Sequence, residues 1–136
     1  MRFLDFEAHA ADYGRFHTHP KNRLCHALGI PMILLAVVRW TQWPDLSLFP
    51  AAIVVLPLYA AWNPILALLM AGIVFAMALL APMLGAATIW AIFILGWVLQ
   101  FAGHAFYEKQ SPAFAKNLIH LLVGPMWVLQ EIFLAL

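Results

Sequence analysis

The sequence predicts an all-α integral membrane protein, a helical bundle of four spans followed by a C-terminal apolar helix. Two observations predict this fold class. The composition is 65% hydrophobic and 10% charged, whereas soluble domains average roughly 45–50% apolar and about 25% charged residues. Asp45 is the only charged residue between residues 42 and 103, so a soluble fold would lack a polar surface along that stretch. Helices are suited to span a bilayer because they satisfy their backbone hydrogen bonds internally.

The predicted helices follow the apolar runs of the chain in order. A spanning helix needs roughly 20 apolar residues, and four runs approach that length: 27–43, 46–62, 64–81 and 86–103. Asp45, Asn63-Pro64 and the stretch 82–85 separate them, and Pro and Gly are common between helices. A fifth run, 118–136, either spans the bilayer or lies at its interface. The chain is thus predicted to be a single domain, 1–136, with an N-terminal segment 1–26, spans within 27–103, a polar segment 104–117 and a C-terminal helix 118–136.

Positive charges predict the orientation of this bundle. Arg15, Lys21 and Arg23 precede the first run, and Lys109 and Lys116 follow the fourth. The positive-inside rule assigns both groups to the cytoplasmic side, which requires an even number of spans between them. Four spans satisfy that condition. We therefore expect both polar segments to face the cytoplasm, across the inner membrane of a bacterium or the endoplasmic reticulum membrane of a eukaryote.

Composition also excludes several classes of protein. The formal net charge is +1 and there is no basic run, so nucleic acid is not an expected partner. Cys25 is the only cysteine, which excludes a disulfide framework and a multi-cysteine metal site. The glycines form no phosphate-binding loop. The expected surroundings are the lipid bilayer, and the composition is compatible with a homo-oligomer.

Two pairs of polar residues have helical spacing. His104 and Glu108 are four residues apart, as are Asn22 and His26, so each pair shares one face of a helix. Pro20 favours a helix that begins there, since proline is tolerated in the first helical turn. The two polar segments therefore each present a histidine beside a second polar side chain.

These histidines suggest a metal site. His17 and His19 precede the helix start and are free to turn toward His26. Imidazole with carboxylate suits iron, zinc or copper, and two or three histidines with one carboxylate and open positions are typical of non-haem Fe(II) sites. The spacing predicts ligands at His17, His26 and His104, with His19 as a further candidate. Asn22 would hold a ligand's second nitrogen or a substrate oxygen.

Other interpretations of the same residues stay open at this point. His9 and His120 are expected to be structural, and Cys25 is expected to be a packed thiol. A non-catalytic membrane scaffold or lipid-binding protein would need the spans and no metal. A haem-binding electron carrier would use paired histidines between helices.

Two long motifs carry a resemblance to a known family. The first is His17-x4-Asn22-x3-His26-x2-Gly29-Ile30-Pro31. The second is Gly96-Trp97-x2-Gln100-Phe101-x-Gly103-His104-x3-Glu108-Lys109-x2-Pro112-Ala113. With the apolar runs between these motifs, residues 12–131 resemble the Mpo-like family of membrane 2-hydroxy fatty acid dioxygenases.

The resemblance implies an Fe(II)-dependent enzyme of fatty acid α-oxidation, located in the endoplasmic reticulum in fungi. Such an enzyme uses O2 to cleave the C1–C2 bond of a 2-hydroxy fatty acid and releases an acid one carbon shorter. His17, Asn22, His26, His104 and Glu108 carry over from the family's motifs. The resemblance therefore implies the same three histidine ligands that the spacing suggested.

The resemblance also suggests roles for the charged residues. Glu108 is either a fourth ligand or an outer carboxylate that orients a histidine. Arg23, Lys109 and Lys21 are candidate partners of the substrate carboxylate, Arg as a bidentate donor and Lys as a point charge. His120 falls where relatives have glutamine, so it is not expected to be a required ligand.

Overall fold

A computed structural model describes residues 3–42 and 50–135, whose regular elements are all helical. The α-helices of these ranges are α1 (Phe6–Gly14), α2 (Pro20–Thr41), α3 (Pro50–Trp62), α4 (Pro64–Leu80), α5 (Ala86–Ala102) and α6 (His120–Ala135). Short 3-10 turns occur at Ala81–Met83 and Ala113–Ala115, and a π-helical turn at Gly103–Glu108 follows α5. The all-α prediction is confirmed for the described residues.

Three helices in the described ranges are long and apolar enough to cross a membrane. They are Pro20–Thr41, Pro64–Met83 and Ala86–Glu108. They correspond to the predicted runs 27–43, 64–81 and 86–103. The first of them begins at Pro20, as the proline predicted, and its predicted last residue, Trp43, lies outside the described residues.

The prediction of four spans is wrong at the second run, 46–62. Its described part is α3, a helix of 13 residues. At about 1.5 Å per residue it is roughly 20 Å long, which is short of the roughly 30 Å hydrocarbon core of a bilayer. Proline favours the first turn of a helix, and the described helix begins at Pro50. Residues 46–49 of the predicted run lie outside the described residues.

The described helix of the C-terminal run is shorter than a typical span. This helix, α6, has 16 residues, which correspond to roughly 24 Å, and it packs against α1. The rings of Tyr13 and Trp127 lie 5.2 Å apart, and Nε2 of His120 lies 3.1 Å from the Asp12 carboxylate. The helix therefore buries its Trp127 face on the N-terminal helix.

Helices α2 to α5 alternate in direction between two ends of the bundle. At one end, Nε1 of Trp62 donates to the carbonyl of Phe3, at 3.0 Å. At the opposite end, Nε2 of Gln42 donates to the carbonyl of Ala78, at 2.9 Å. Even though α3 is short, this alternation brings the start of α2 and the end of α5 to the same end.

Glycines let α2 and α5 pack closely. A Cβ on Gly96 would lie 2.9 Å from the carbonyl oxygen of Gly29, and a Cβ on Gly29 would lie 2.8 Å from that of Gly96. Small residues at such contacts let helix backbones approach each other in membrane proteins. The two motifs found in the sequence are therefore held side by side through their glycines.

Candidate metal centre

Three histidines from different parts of the chain converge at the common end of α2 and α5. His17 precedes α2, His26 lies in the second turn of α2, and His104 lies in the π-helical turn. One ring nitrogen from each lies within 4.8 Å of the others. The three residues are 0%, 2% and 2% exposed, respectively. Their convergence agrees with the spacing argument and makes this group a candidate metal centre.

Hydrogen bonds define the tautomers of two of these rings. Nδ1 of His17 lies 2.7 Å from the carbonyl oxygen of Tyr13, and Nδ1 of His26 lies 3.0 Å from that of Asn22. A carbonyl can only accept, so Nδ1 carries the proton in both rings. In the neutral imidazole, Nε2 then has a free lone pair. A hydrogen bond of this kind, on the nitrogen away from the ion, is the usual way to orient a metal-binding histidine.

The electrostatics of the site favour neutral imidazoles. Burial lowers the pKa of His17 far below its usual range, and the neighbouring His26 lowers it further. His17 is therefore uncharged at neutral pH. Neutral imidazole is the form that binds metal ions, so the site does not have to release a proton from this ring.

Unpartnered nitrogens on two of these rings are compatible with a bound metal ion. Nε2 of His17 and Nδ1 of His104 are buried and have no hydrogen-bond partner among the described residues. Buried polar atoms are nearly always satisfied, so such exceptions need an explanation. A divalent ion between the three rings would supply it. Three imidazoles suit Fe, Zn or Cu, and the donor set alone does not choose among them.

Asn22 and Glu108 fasten the two motifs to each other. Nδ2 of the fully buried Asn22 donates to the carbonyl of Phe16 at 3.1 Å and to Oε1 of Glu108 at 3.2 Å. The Glu108 carboxylate also accepts from the His19 backbone N–H at 2.7 Å and from the Thr18 hydroxyl at 2.8 Å. Glu108 is not part of the three-histidine group. It holds the segment that carries His17 through these hydrogen bonds.

His104 and Glu108 both lie in the π-helical turn Gly103–Glu108, a kind of turn that is frequent at functional sites. Lys109 ends it with φ 53°, in the left-handed region. Gly103 is required there because a Cβ would collide with the side chain of Asn22.

The other predicted site residues lie at the same end, outside the three-histidine group. His19 is the N-cap of α2, where its Nδ1 accepts from the Lys21 N–H at 3.2 Å. Arg23 donates to the His17 carbonyl at 2.8 Å and pairs with Glu131 at 2.7 Å. The side chains of Lys21 and Lys109 are exposed.

Two further histidines are buried away from the centre. His9 packs against Trp62, with ring centroids 6.0 Å apart. His120 has Nδ1 3.0 Å from the carbonyl of Ala113 and Nε2 beside Asp12, so it links α6 to its neighbours. Neither belongs to the three-histidine group.

Two residues beside the centre were missed from the sequence. The Tyr13 ring stacks on His17, with centroids 4.1 Å apart and planes at 16°. The buried amide of Gln100 has no hydrogen-bond partner for Nε2 among the described residues. Tyr13 lies in α1 and His17 in the segment that follows it, so helical spacing does not relate the two. Gln100 stands in the second motif and is a polar residue within an apolar run, but neither signal indicated a role for it.

Tyr13, Gln100, His26 and His104 line one end of a partly open cavity of about 310 Å³. Beyond them the walls are mostly aliphatic and aromatic side chains of α2 to α6 and the 3-10 turn before α6. The volume is at the lower end of the roughly 300–1,000 Å³ typical of ligand sites. The metal centre thus opens onto an apolar space inside the bundle.

These features define a class: a protein whose described elements are all helical, with three helices long and apolar enough to span a membrane and a buried three-histidine group that could hold a metal ion. A sequence model of the family described as 2-hydroxy-palmitic acid dioxygenase Mpo1-like matches residues 3–136, and the chain belongs to this family. It is 28% identical over 138 residues to the 2-hydroxy-palmitic acid dioxygenase MPO1 of Saccharomyces cerevisiae, covering 94% of this chain and 79% of the yeast protein. No solved structure matches the chain. The resemblance inferred from the two motifs is confirmed.

Proposed function

We propose that this protein is an Fe(II)-dependent dioxygenase that shortens 2-hydroxy fatty acids by one carbon. One observation carries the proposal: a group of three buried imidazoles borders, through His26 and His104, a pocket that is otherwise mostly apolar. A 2-hydroxy fatty acid needs polar partners for its carboxylate and hydroxyl and an apolar space for its chain. The name of the yeast relative supports the same substrate class and reaction type.

The proposed reaction balances without a further co-substrate. C2 of the acid is oxidised to a carboxyl carbon, the C1–C2 bond breaks, and C1 leaves as CO2. O2 accepts the four electrons released, and the products are the shortened acid, CO2 and one water. No nicotinamide or flavin is needed, in keeping with a sequence that contains no phosphate-binding loop.

Fe(II), when bound, supplies the one-electron chemistry through which O2 reacts with a closed-shell acid. The ion would be held by His17, His26 and His104, and three protein ligands leave coordination positions open. Tyr13 and Gln100 lie where the head of the substrate would sit. Burial raises the pKa of Tyr13, so its phenol keeps its proton and can donate to a substrate oxygen.

The remaining polar residues position the site and attract the substrate. Asn22 and Glu108 act by holding the segment of His17 against the turn of His104. Lys21 and Lys109, exposed at this end, would draw in the carboxylate as point charges. Arg23 is engaged by Glu131 and the His17 carbonyl, so its first role is to support that segment, and His19 serves as a helix cap.

The membrane setting follows from the same arrangement. The alkyl chain of the substrate partitions into the bilayer, and the spanning helices hold the centre within reach of it. The basic residues at this end of the bundle favour the cytoplasmic side. We therefore propose a membrane enzyme whose metal centre lies at the cytoplasmic end of its helices.

Metal analysis of the purified protein tests this proposal. We expect about one iron per chain by mass spectrometry, no Soret band, and O2-dependent loss of a 2-hydroxy fatty acid. His17→Ala, His26→Ala and His104→Ala should each lose iron, since each removes one ligand. His9→Ala, which changes an equally buried histidine away from the group, should keep it.

Each alternative outcome identifies a different class of protein. A Soret band would indicate a haem-binding electron carrier. Absence of bound metal together with unchanged folding would indicate a scaffold or lipid-binding protein. Full iron content in all three ligand variants would place the metal elsewhere and overturn the assignment of the centre.

A further inference from the structure

The apolar cavity extends along one face of α2, away from the metal centre. Below His26, the lining residues of this helix are Ile30, Ile33, Leu34 and Val37. Spacings of three and four residues place them on the same side of a helix. Val37 is eleven residues beyond His26, so at about 1.5 Å per residue the lining reaches roughly 16 Å from the centre.

Two other helices show where the lining lies in depth. Val74 of α4 lines the cavity four residues before Ala78, whose carbonyl marks the end of the bundle opposite the metal centre. Val55 of α3 also lines it, seven residues before Trp62, which corresponds to about 10 Å from the near end. Val55 is therefore at intermediate depth, and Val74 lies with Val37 at the deep end.

Polar residues along the wall are already engaged. The Tyr59 hydroxyl donates to the carbonyl of Leu122 at 2.8 Å, and His120 faces Ala113 and Asp12. Tyr13 and Gln100 are at the end that holds the metal centre. An amphiphile can therefore enter in only one orientation, with its polar head at the histidines and its chain toward Val37.

We propose that this cavity holds the alkyl chain of the substrate and that its deep end sets the maximum chain length. The inference rests on the function proposed above. Bonds of about 1.5 Å at angles near 111° advance a carbon chain by roughly 1.25 Å per carbon. The depth of about 16 Å then admits roughly 13 carbons beyond the head, or a substrate of about 14 to 16 carbons.

Neighbouring valines provide the test with a matched control. Val55 lines the cavity, whereas Val54, the next residue, is 75% exposed on the outer face of the same helix. Val55→Phe and Val54→Phe are the same chemical change on opposite sides of the wall. Val74→Phe makes that change at the deep end.

The experiment measures binding and turnover as separate properties. Binding to the metal-free full-length protein in detergent is followed by displacement of a fluorescent fatty acid, with 2-hydroxy acids from octanoic to eicosanoic. Turnover of the same acids is measured on the iron-loaded protein. Because long acids also partition into micelles, each variant is compared with Val54→Phe at the same chain length. Thermal unfolding and iron content confirm that each variant is folded.

The two substitutions should shorten the accepted chain in the order of their depth. Val74→Phe should weaken binding of the hexadecanoic acid by at least about tenfold, since each displaced methylene is worth roughly fourfold, and leave the decanoic acid unaffected. Val55→Phe should extend this loss to the dodecanoic acid. Val54→Phe should match the wild type at every length.

Binding and turnover together separate the role of the cavity from the dioxygenase reaction. Turnover with the same length profile in all variants would leave the dioxygenase intact and remove the chain from the cavity. Displacement by a phospholipid as effective as that by the fatty acid would make a bilayer lipid the occupant and also overturn the proposed role of the cavity. Length-limited binding without turnover of any acid would support the cavity and refute the dioxygenase.

Discussion

Asn22→Asp is the substitution that most directly tests the link between the two motifs. Asn22 is fully buried, and its amide donates to the Phe16 carbonyl at 3.1 Å and to the Glu108 carboxylate at 3.2 Å. Aspartate has nearly the same shape but replaces the donor by an acceptor oxygen. The new carboxylate would face two acceptors, one of them charged.

The cost can be worked from these distances. Two unit charges 3.2 Å apart repel by about 1.3 kcal/mol at ε ≈ 80 and about 5 kcal/mol at ε ≈ 20. Glu108 is partly exposed, so about 2 kcal/mol is the appropriate figure. The Phe16 carbonyl loses its donor, which costs about 1–3 kcal/mol. We expect the free energy of unfolding to fall by about 3–5 kcal/mol.

A second substitution separates this interaction from general damage. The double variant Asn22→Asp, Glu108→Gln no longer has two negative charges at this contact. An amide again donates to a carboxylate, but the amide is now at position 108 and the carboxylate at position 22. The double variant should recover about 1–2 kcal/mol relative to the sum of the single variants, the usual size of a direct coupling. Recovery is partial because the Phe16 carbonyl stays unpaired.

The assay is reversible unfolding in detergent, with iron content measured on the same samples. Asn63→Asp is the control, because the Asn63 side chain only accepts hydrogen bonds, from Ile65 and Leu66. Aspartate caps helices as well as asparagine does, so this change should be neutral. Additive effects of Asn22→Asp and Glu108→Gln would show that the two side chains do not interact and would refute the fastening argument.

Three further predictions concern packing, protonation and topology. Gly96→Ala should destabilise the protein by about 1–3 kcal/mol, because the added Cβ would lie 2.9 Å from the Gly29 carbonyl oxygen. Gly72→Ala is the control and should leave the stability unchanged, because a Cβ there meets nothing within 4 Å. Thermal unfolding of both variants tests this prediction. The metal-free protein should lose stability as the pH falls below about 6.5. In the unfolded chain His17 takes up a proton, whereas the buried ring has a lowered pKa and stays neutral. Unfolding curves from pH 8 to 5 that coincide with those of His17→Ala would contradict this prediction. Tags at the N-terminus and at the exposed Ser111 should be labelled from the same side of the membrane, and labelling from opposite sides would contradict the shared end.

The sequence was most informative where residue type and local spacing determine the structure. Apolar run length predicted the first residues of α4 and α5 and placed their last residues to within one position. Pro20 predicted the start of α2. The three ligand candidates were proposed because they lie in the two polar segments that flank the apolar runs. At α3 the predicted run was longer than the described helix, which has 13 residues, because run length measures hydropathy and not helix length.

Contacts between distant residues could not be predicted in this way. The Arg23–Glu131 pair joins residues 108 positions apart, and nothing in either local sequence indicates the other. The sequence suggested Arg23 only as a partner of the substrate carboxylate, and that role stays a prediction. The bonds of Glu108 to Thr18 and Asn22 likewise join residues 90 and 86 positions apart.

The convergence of His26 and His104 follows from the direction of side chains on antiparallel helices. Asn22 lies seven residues before Gly29, and Gly103 lies seven residues after Gly96. Each of them is therefore about 10 Å from the contact between Gly29 and Gly96, and Asn22 and Gly103 lie against each other. Side chains on a helix tilt toward its N-terminus. His26, nearer the contact, therefore leans outward along α2, while His104, in the turn that continues α5, leans back inward. Because both tilts are needed for the rings to meet, the glycine contact that sets the register also sets the metal centre. Gly96→Ala should thus lower iron affinity as well as stability.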